Sequence, residues 1–200
     1  MAQTINNVLG NGKSNRRLGK DEDTCIGNEP LSVGGHDIAL TVNDFWRWSF
    51  SDFSDFSIRG AFSEFLVASS LGLTADGNAR QRRARCLLYA PLGGSELRVG
   101  VKTAAYVQSD EVERPDHIIF VIPKKTDCDA CLFCVFNGMT GAESPLNTDL
   151  WDFYALRSGA LGGSVSERGF VTLPALMGLN PVWSDYYGIG DAIKKAMTAL

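Results

Sequence analysis

Apolar side chains recur along the chain with two different periods, one helical and one extended. In residues 59–73, small and aromatic residues return every three or four positions, and Gly72 stands where a helix would end. The aromatic residues between positions 43 and 50 have a similar spacing, with Asn43 or Asp44 as the helix cap. The pattern therefore predicts two amphipathic helices, and we expect both apolar stripes to pack into the core.

Extended segments dominate the rest of the chain. Residues 85–91 and 96–106 predict two strands joined by a hairpin turn at Leu92-Gly93-Gly94-Ser95. Continuous apolar runs at 118–122 and 131–136 are typical of central strands covered on both faces. After them we expect a strand at residues 151–156 and a short strand at residues 170–172. A helix capped by Thr172 should follow at residues 173–179, and a terminal amphipathic helix at residues 190–200. This order predicts an α/β fold whose central mixed sheet of about five strands is flanked by helices.

The first 35 residues lack this periodicity. They are rich in Asn, Gly and basic residues, and they contain the turn-forming pairs Asn11-Gly12 and Gly34-Gly35. We interpret residues 1–35 as a flexible N-terminal arm and residues 36–200 as a single domain. A polar arm of this kind suits a segment that becomes ordered on a partner.

Composition narrows the class of protein. The chain has 200 residues, of which 44% are hydrophobic and 21% charged, so a collagenous, coiled-coil or wholly disordered chain is excluded. The longest apolar runs are of strand length, so we expect no membrane span and no membrane partner. The N-terminal sequence resembles neither a secretion signal nor a transit peptide, and the five cysteines are an odd number. We therefore expect a cytoplasmic protein with reduced thiols.

Charge is distributed unevenly along the chain. The net charge of −4 argues against a protein that coats polyanions indiscriminately. Residues 76–102, however, contain six basic and two acidic side chains. This segment supplies the candidate nucleic-acid-binding residues, which are Arg80, Arg82, Arg83, Arg85 and Arg98. The alternative is that residues 80–85 form only a solvated loop.

Three motifs follow one another in the first half of the chain. DFWRW begins at Asp44, RGxxxE ends at Glu64, and VGVKTAAYVQ contains Lys102 and Gln108. Together they resemble the restriction-endonuclease-like superfamily of PD-(D/E)XK nucleases, in particular a bacterial and phage branch of it. The resemblance covers residues 44–108 and implies a restriction-endonuclease-like core. It also implies that Glu64 matches the helix glutamate of the site, Lys102 its lysine, and Gln108 a glutamine beside it.

Two positions depart from this family pattern. The acid expected two residues before the lysine is replaced by Gly100, and the aspartate expected at the start of the hairpin aligns near Tyr89-Ala90. Glu64 alone cannot replace the two or three carboxylates that hold catalytic Mg²⁺. The sequence therefore predicts a catalytically degenerate nuclease fold without a metal or other cofactor. Its expected role is a nucleic-acid-binding, structural or regulatory subunit of a phage, plasmid or defence-related assembly, with a protein partner.

Two other functions remain open. The chain could be an active Mg²⁺- or Mn²⁺-dependent endonuclease whose metal ligands have moved to other acids, for which the candidates are Asp76, Glu96, Asp110 and Glu111. It could also be a protein-binding inhibitor in which the basic segment has no role. In either case, Glu64 could instead form a structural ion pair with Lys102 or Arg59.

The sequence Cys128-x-x-Cys131-x-x-Cys134 has the spacing of some zinc and iron–sulfur sites. A fourth ligand would have to come from His117 or Cys25. The last two cysteines fall in an apolar strand, where alternation sends them to opposite faces. We therefore expect these cysteines to be core residues rather than metal ligands.

Overall fold

The computed structural model describes Cys25 and residues 27–74, 87–108, 111–112, 115–123, 127–139 and 143–198. Most of the predicted N-terminal arm, residues 1–24, lies outside these ranges. The chain divides into two compact units, Met1–Arg47 and Trp48–Leu200. None of the helices within the described ranges is long and apolar enough to cross a membrane.

The first unit contains an antiparallel hairpin of β1 (Pro30–Val33) and β2 (His36–Thr41). Its turn is the predicted Gly34-Gly35 pair, whose φ angles of 60° and 81° favour glycine because other residues pay a steric penalty there. Regular structure thus begins inside the segment that composition assigned to the arm. Helix α1 (Val42–Phe50) follows directly.

Helix α1 begins at a reciprocal cap. The Thr41 amide donates to the Asp44 carboxylate over 2.8 Å, and the Asp44 amide donates to the Thr41 hydroxyl over 3.3 Å. The predicted helix is confirmed, but the expectation that its aromatic stripe packs into the core is wrong. No residue of α1 is buried, and Trp48 is 84% exposed. The helical spacing of aromatic residues defines a face, and it does not specify what covers that face.

The second unit contains the main sheet. Its elements in chain order are α2 (Phe56–Ser70), β3 (Leu87–Leu92), β4 (Ser95–Ala105), β5 (Val107–Gln108), β6 (Glu111–Val112), β7 (Ile119–Val121), β8 (Ala130–Phe136), β9 (Trp151–Arg157), β10 (Phe170–Thr172), α3 (Leu173–Met177), β11 (Val182–Ser184) and α4 (Ile189–Thr198). Five strands form the sheet in the order β11-β9-β8-β4-β3. β4 and β8 are parallel, and the other neighbours are antiparallel. The predicted α/β class and mixed five-stranded sheet are confirmed.

Both faces of the sheet are covered. Helices α2 and α4 pack one face, where Val67, Ile193 and Leu132 of β8 belong to one buried hydrophobic cluster. The two-stranded ladder of β7 and β10, together with α3, packs the other face, where Phe120 meets Phe133 edge-on. Every residue of β8 is buried, as its continuous apolar sequence predicts.

The prediction that residues 118–122 form a central strand is wrong. In the part of the chain that the structure describes, β7 pairs with β10 and not with a strand of the main sheet, and its residues Ile119 and Val121 are exposed. The other predicted elements are confirmed, including the Gly93-Gly94 turn with φ angles of 61° and 82° and the Thr172 cap on α3. An apolar run of three strand residues suits a peripheral ladder as well as a central strand, so the sequence could not separate the two.

Candidate functional site

The start of α2 fixes the first half of the site. The Asp55 carboxylate accepts hydrogen bonds from the Ser57 and Ile58 amides at 2.7 and 3.1 Å, which caps the helix. Together with the Ser57 hydroxyl, these donors lower the pKa of Asp55. One turn further on, the Ser63 hydroxyl hydrogen-bonds with that of Thr103 on β4. The helix is thereby attached to β4 with Glu64 in the next position.

The second half of the site is the far end of β4. The described part of β3 begins at Leu87, which pairs with Gly100 of β4. Beyond that point the described residues give β4 a strand partner on one side only, which is β8. A pocket of about 350 Å³ lies along this edge. Its lining comes from α2, β4 and β7, namely Phe56, Arg59, Gly60, Glu64, Val101, Lys102, Thr103, Ala104, Ala105, Ile119 and Val121.

Glu64 and Lys102 both line this pocket, so the structure brings together the two residues that the motifs placed at one site. Arg59 joins them, although the sequence gave it no role beyond a possible pairing with Glu64. Glu64 is the one acidic residue among the described lining residues, whereas Arg59 and Lys102 are both basic. By formal charge, the described lining residues therefore sum to plus one.

Glu64 and Lys102 approach the pocket from opposite faces of the sheet. On β4, Val101 packs in the core beneath α2, so the alternating position Lys102 points towards the β7 face. The pKa values of three cysteines agree with this placement. The positive charge of Lys102 works to lower the pKa values of Cys128 and Cys131. Burial, and then the Glu64 carboxylate, raise the pKa of Cys134. The two charges thus approach the pocket from opposite faces of the sheet and not from one surface.

Arg59 is almost fully buried beside the pocket. One guanidinium nitrogen donates to the Ser54 carbonyl over 3.3 Å. Burial lowers the pKa of Arg59, and the nearby Asp55 carboxylate partly opposes that effect. A cation with so little solvent around it gains more from an anionic ligand than a solvated surface arginine does.

The site offers few oxygen ligands to a divalent metal. Gly100 and Ala90, where the family pattern has its acids, carry no side-chain oxygen, and Ala90 is fully buried. Glu96 pairs with Pro91 at the hairpin end of β4 and does not line the pocket. Within the described residues, no three His, Cys, Asp or Glu side chains lie close enough together to hold a metal ion. Asp76 and Asp110, and the side chain of Glu111, lie outside the described part of the chain.

The predicted nucleic-acid-binding arginines are described only at Arg98. Arg80, Arg82, Arg83 and Arg85 lie outside the described residues. The Arg98 guanidinium forms ion pairs with Asp127 and, over 2.9 Å, with Asp129. These carboxylates raise the pKa of Arg98, and the arginine lowers that of Asp129. Arg98 therefore joins β4 to the segment before β8, and a phosphate there would compete with two carboxylates.

Gln108 lies in β5, which pairs with β6 outside the five-stranded sheet. Its side chain falls outside the described part of the chain. The role that the resemblance gave to Gln108 therefore stays a prediction.

Gly60 is part of the RGxxxE motif, but the sequence gave it no role in the site. Gly60 lies one turn before Glu64 on α2, and an added Cβ would meet no other atom within 4 Å. The backbone at this position therefore faces open space at the pocket. A glycine in the interior of a predicted helix is the signal that could have revealed its role, because glycine destabilises a helix relative to alanine.

Comparison with family models, curated proteins and solved structures found no match to this chain.

Proposed function

We propose that the pocket at the edge of β4 binds the phosphate backbone of a nucleic acid without cleaving it. In this proposal the chain is a catalytically degenerate member of the restriction-endonuclease-like fold. It would serve as a nucleic-acid-binding, structural or regulatory subunit of a phage, plasmid or defence-related assembly. The observation that carries the proposal is the pairing of two basic residues, Arg59 and Lys102, with a single acid, Glu64, in one pocket.

The chemistry of the lining suits a phosphate group. Lysine ammonium and arginine guanidinium groups are the usual protein partners of phosphate oxygens. The Thr103 hydroxyl, which hydrogen-bonds with Ser63, lines the same pocket beside these two cations. A binding site built in this way reads the charge and shape of the backbone, and it carries no information about the base sequence.

The same lining disfavours hydrolysis through a bound metal. Mg²⁺ prefers octahedral oxygen ligands, and nuclease sites supply several carboxylates to hold it against the scissile phosphate. Glu64 is the one carboxylate among the described lining residues, and it approaches from the face of the sheet opposite to that of Lys102. Binding therefore fits the arrangement better than cleavage.

The test is binding of fluorescently labelled duplex DNA, single-stranded DNA and RNA, measured by anisotropy over a range of salt concentrations. Lys102→Ala should weaken binding about tenfold and reduce the slope of log K against log salt by about one. Glu64→Gln should strengthen binding, because it removes the negative charge that faces the phosphate and keeps the shape of the side chain. A nuclease that needs Glu64 for its metal would show the opposite dependence in its activity.

Gly60 provides a variant that leaves every charge in place. Gly60→Leu should fill the pocket and abolish the part of the affinity that depends on Lys102. Gly60→Ala is the matched control, since its single methyl group enters open space and should leave binding intact while making the helix slightly more stable. If Lys102→Ala and Gly60→Leu both bind like the unaltered protein, the pocket is not the binding site.

A further inference from the structure

Two cysteines lie side by side on the β7 face of the sheet. The Sγ atoms of Cys128 and Cys131 are 3.4 Å apart, and both side chains are buried. Cys134, three residues after Cys131, packs in the core on the α2 face. The structure therefore separates the three regularly spaced cysteines into one close pair and one isolated thiol.

The backbone holds this pair in place. Asp129, between the two cysteines, donates its amide to the Arg98 carbonyl and accepts the Arg98 amide on its carboxylate, both over 2.8 Å. Ser158 donates its amide to the Asp129 carbonyl and its hydroxyl to the Cys128 carbonyl. These contacts fix Cys128 above the start of β8, so little conformational entropy remains to be lost when the two sulfurs approach each other.

The two thiols have different acidities. The hydrogen bond with Cys131 lowers the pKa of Cys128, and the Gly100 amide and the Lys102 ammonium add to this effect. The same hydrogen bond and burial raise the pKa of Cys131. One sulfur is thus favoured as a thiolate nucleophile, while its neighbour stays protonated.

We propose that hydrogen peroxide converts Cys128 and Cys131 into a reversible disulfide, with Cys128 as the attacking sulfur and Cys131 as the resolving thiol. Hydrogen peroxide is the oxidant that suits the site, because Cys128 is only 5% exposed and a larger disulfide reagent would not reach it. The inference concerns the cysteines alone and does not depend on what the pocket binds.

The reaction has two balanced steps. The Cys128 thiolate attacks one peroxide oxygen, so an S–O bond forms, the O–O bond breaks, and the departing hydroxide takes up a proton to become water. The Cys131 sulfur then attacks the sulfenic acid, forming the S–S bond and breaking the S–O bond. The hydroxide released there takes the proton of Cys131 to become the second water. Two thiols lose two electrons, and one peroxide becomes two waters.

The distance between the sulfurs permits this chemistry. Their separation has to fall from 3.4 Å to the roughly 2.05 Å of a disulfide bond. A metal site is the other common use of a Cys-x-x-Cys pair, but structural zinc takes four ligands. No third ligand accompanies the pair in the part of the chain that the structure describes. The geometry therefore favours a disulfide.

The experiment uses the full chain with Cys25→Ser and Cys86→Ser, which leaves three of the five cysteines. Treatment with hydrogen peroxide, followed by alkylation and intact mass spectrometry, should show loss of two hydrogens and a fall from three alkylated thiols to one. Fragmentation should place the bond between Cys128 and Cys131, and dithiothreitol should restore all three thiols.

Two variants make the test specific. Cys134→Ser is the matched control and should form the bond like its parent. Cys131→Ser should form no bond and should instead accumulate a sulfenic acid at Cys128, which dimedone would trap. Three alkylated thiols after peroxide treatment, a bond to Cys134 or a bond between two chains would each overturn the proposal. The parent and Cys134→Ser decide the question even if circular dichroism shows that Cys131→Ser does not fold.

Discussion

Arg59, Glu64 and Lys102 differ in their surroundings, and this difference determines what the pocket can bind. Arg59 and Glu64 are buried on α2, whereas Lys102 is partly exposed on the strand. Removing charges from water is costly unless an opposite charge or hydrogen bonds compensate. A bound phosphate would compensate the charge of the buried Arg59, and this is why the pocket is expected to bind an anion.

Arg98 illustrates a different use of charge, which is a structural clamp that should fail in acid. Arg98 holds the pKa of the Asp129 carboxyl below its unfolded value of about 3.9. A carboxyl group whose pKa is lower in the folded than in the unfolded protein stabilises the folded state at pH values above its unfolded pKa. This stabilisation is lost as the pH falls through the pKa of the folded state. Asp129→Asn should therefore destabilise the protein near pH 7, by a margin that shrinks below about pH 4.

Urea unfolding of both proteins between about pH 7 and pH 2.5 would measure this margin. Asp191→Asn is a suitable control, because its ion pair with Lys194 is exposed and should contribute little. A margin for Asp129→Asn that does not change with pH would contradict the proposed clamp.

The sequence anticipated the charged residues of the site only in part. Glu64 and Lys102 were found because their motifs have a recognisable spacing, and the structure places both at one pocket. Arg59 lies in the same motif, but helical spacing alone does not show what faces it. The carboxylates around Arg98 come from a segment about thirty residues away, so its ion pairs depend on the β4–β8 pairing that only the fold reveals.

At the scale of elements, α2 is the helix on which both the core and the pocket depend. Its residues Leu66 and Val67 are buried against the sheet, while Phe65, between Glu64 and Leu66, is 54% exposed. The helix thus packs one side into the core and presents Gly60 and Glu64 at the pocket. Any loss of packing beneath α2 would also displace the site.

A pair of substitutions on α2 tests this packing. Leu66→Ala should lower the free energy of unfolding by about 2–5 kcal/mol, because it leaves a cavity in the core. Phe65→Ala, one position earlier, should cost about 1 kcal/mol or less because the ring is half exposed. Chemical denaturation of the two variants measures both values. Equal losses would show that α2 does not pack as described.

The predicted elements were mostly found, and the errors concern their position in the fold. β8 and β7 are both continuous apolar runs in sequence, yet β8 is central and β7 lies in a peripheral ladder. Strand order depends on pairing between distant segments, which local periodicity does not encode. For the same reason, the aromatic spacing of α1 predicted the helix and not its exposure.

At the scale of the whole molecule, a net charge of −4 coexists with a pocket whose lining is positive. Such a chain should bind a polyanion at one place and repel it elsewhere, so its affinity should depend on a small number of contacts. The five-stranded sheet supports the pocket because β4, which lines it, is one of the inner strands. The site is therefore positioned by the most extensively paired part of the second unit.

The most direct test of binding without cleavage is incubation of supercoiled plasmid with the protein in Mg²⁺ and in Mn²⁺. The protein should be present at concentrations that saturate binding, with an EDTA control and with Lys102→Ala and Glu64→Ala in parallel. We predict a plasmid that is retarded on the gel and remains supercoiled after the protein is digested away. Nicked or linear plasmid that requires the metal and is lost in both variants would contradict the account and would show that the chain is an active endonuclease.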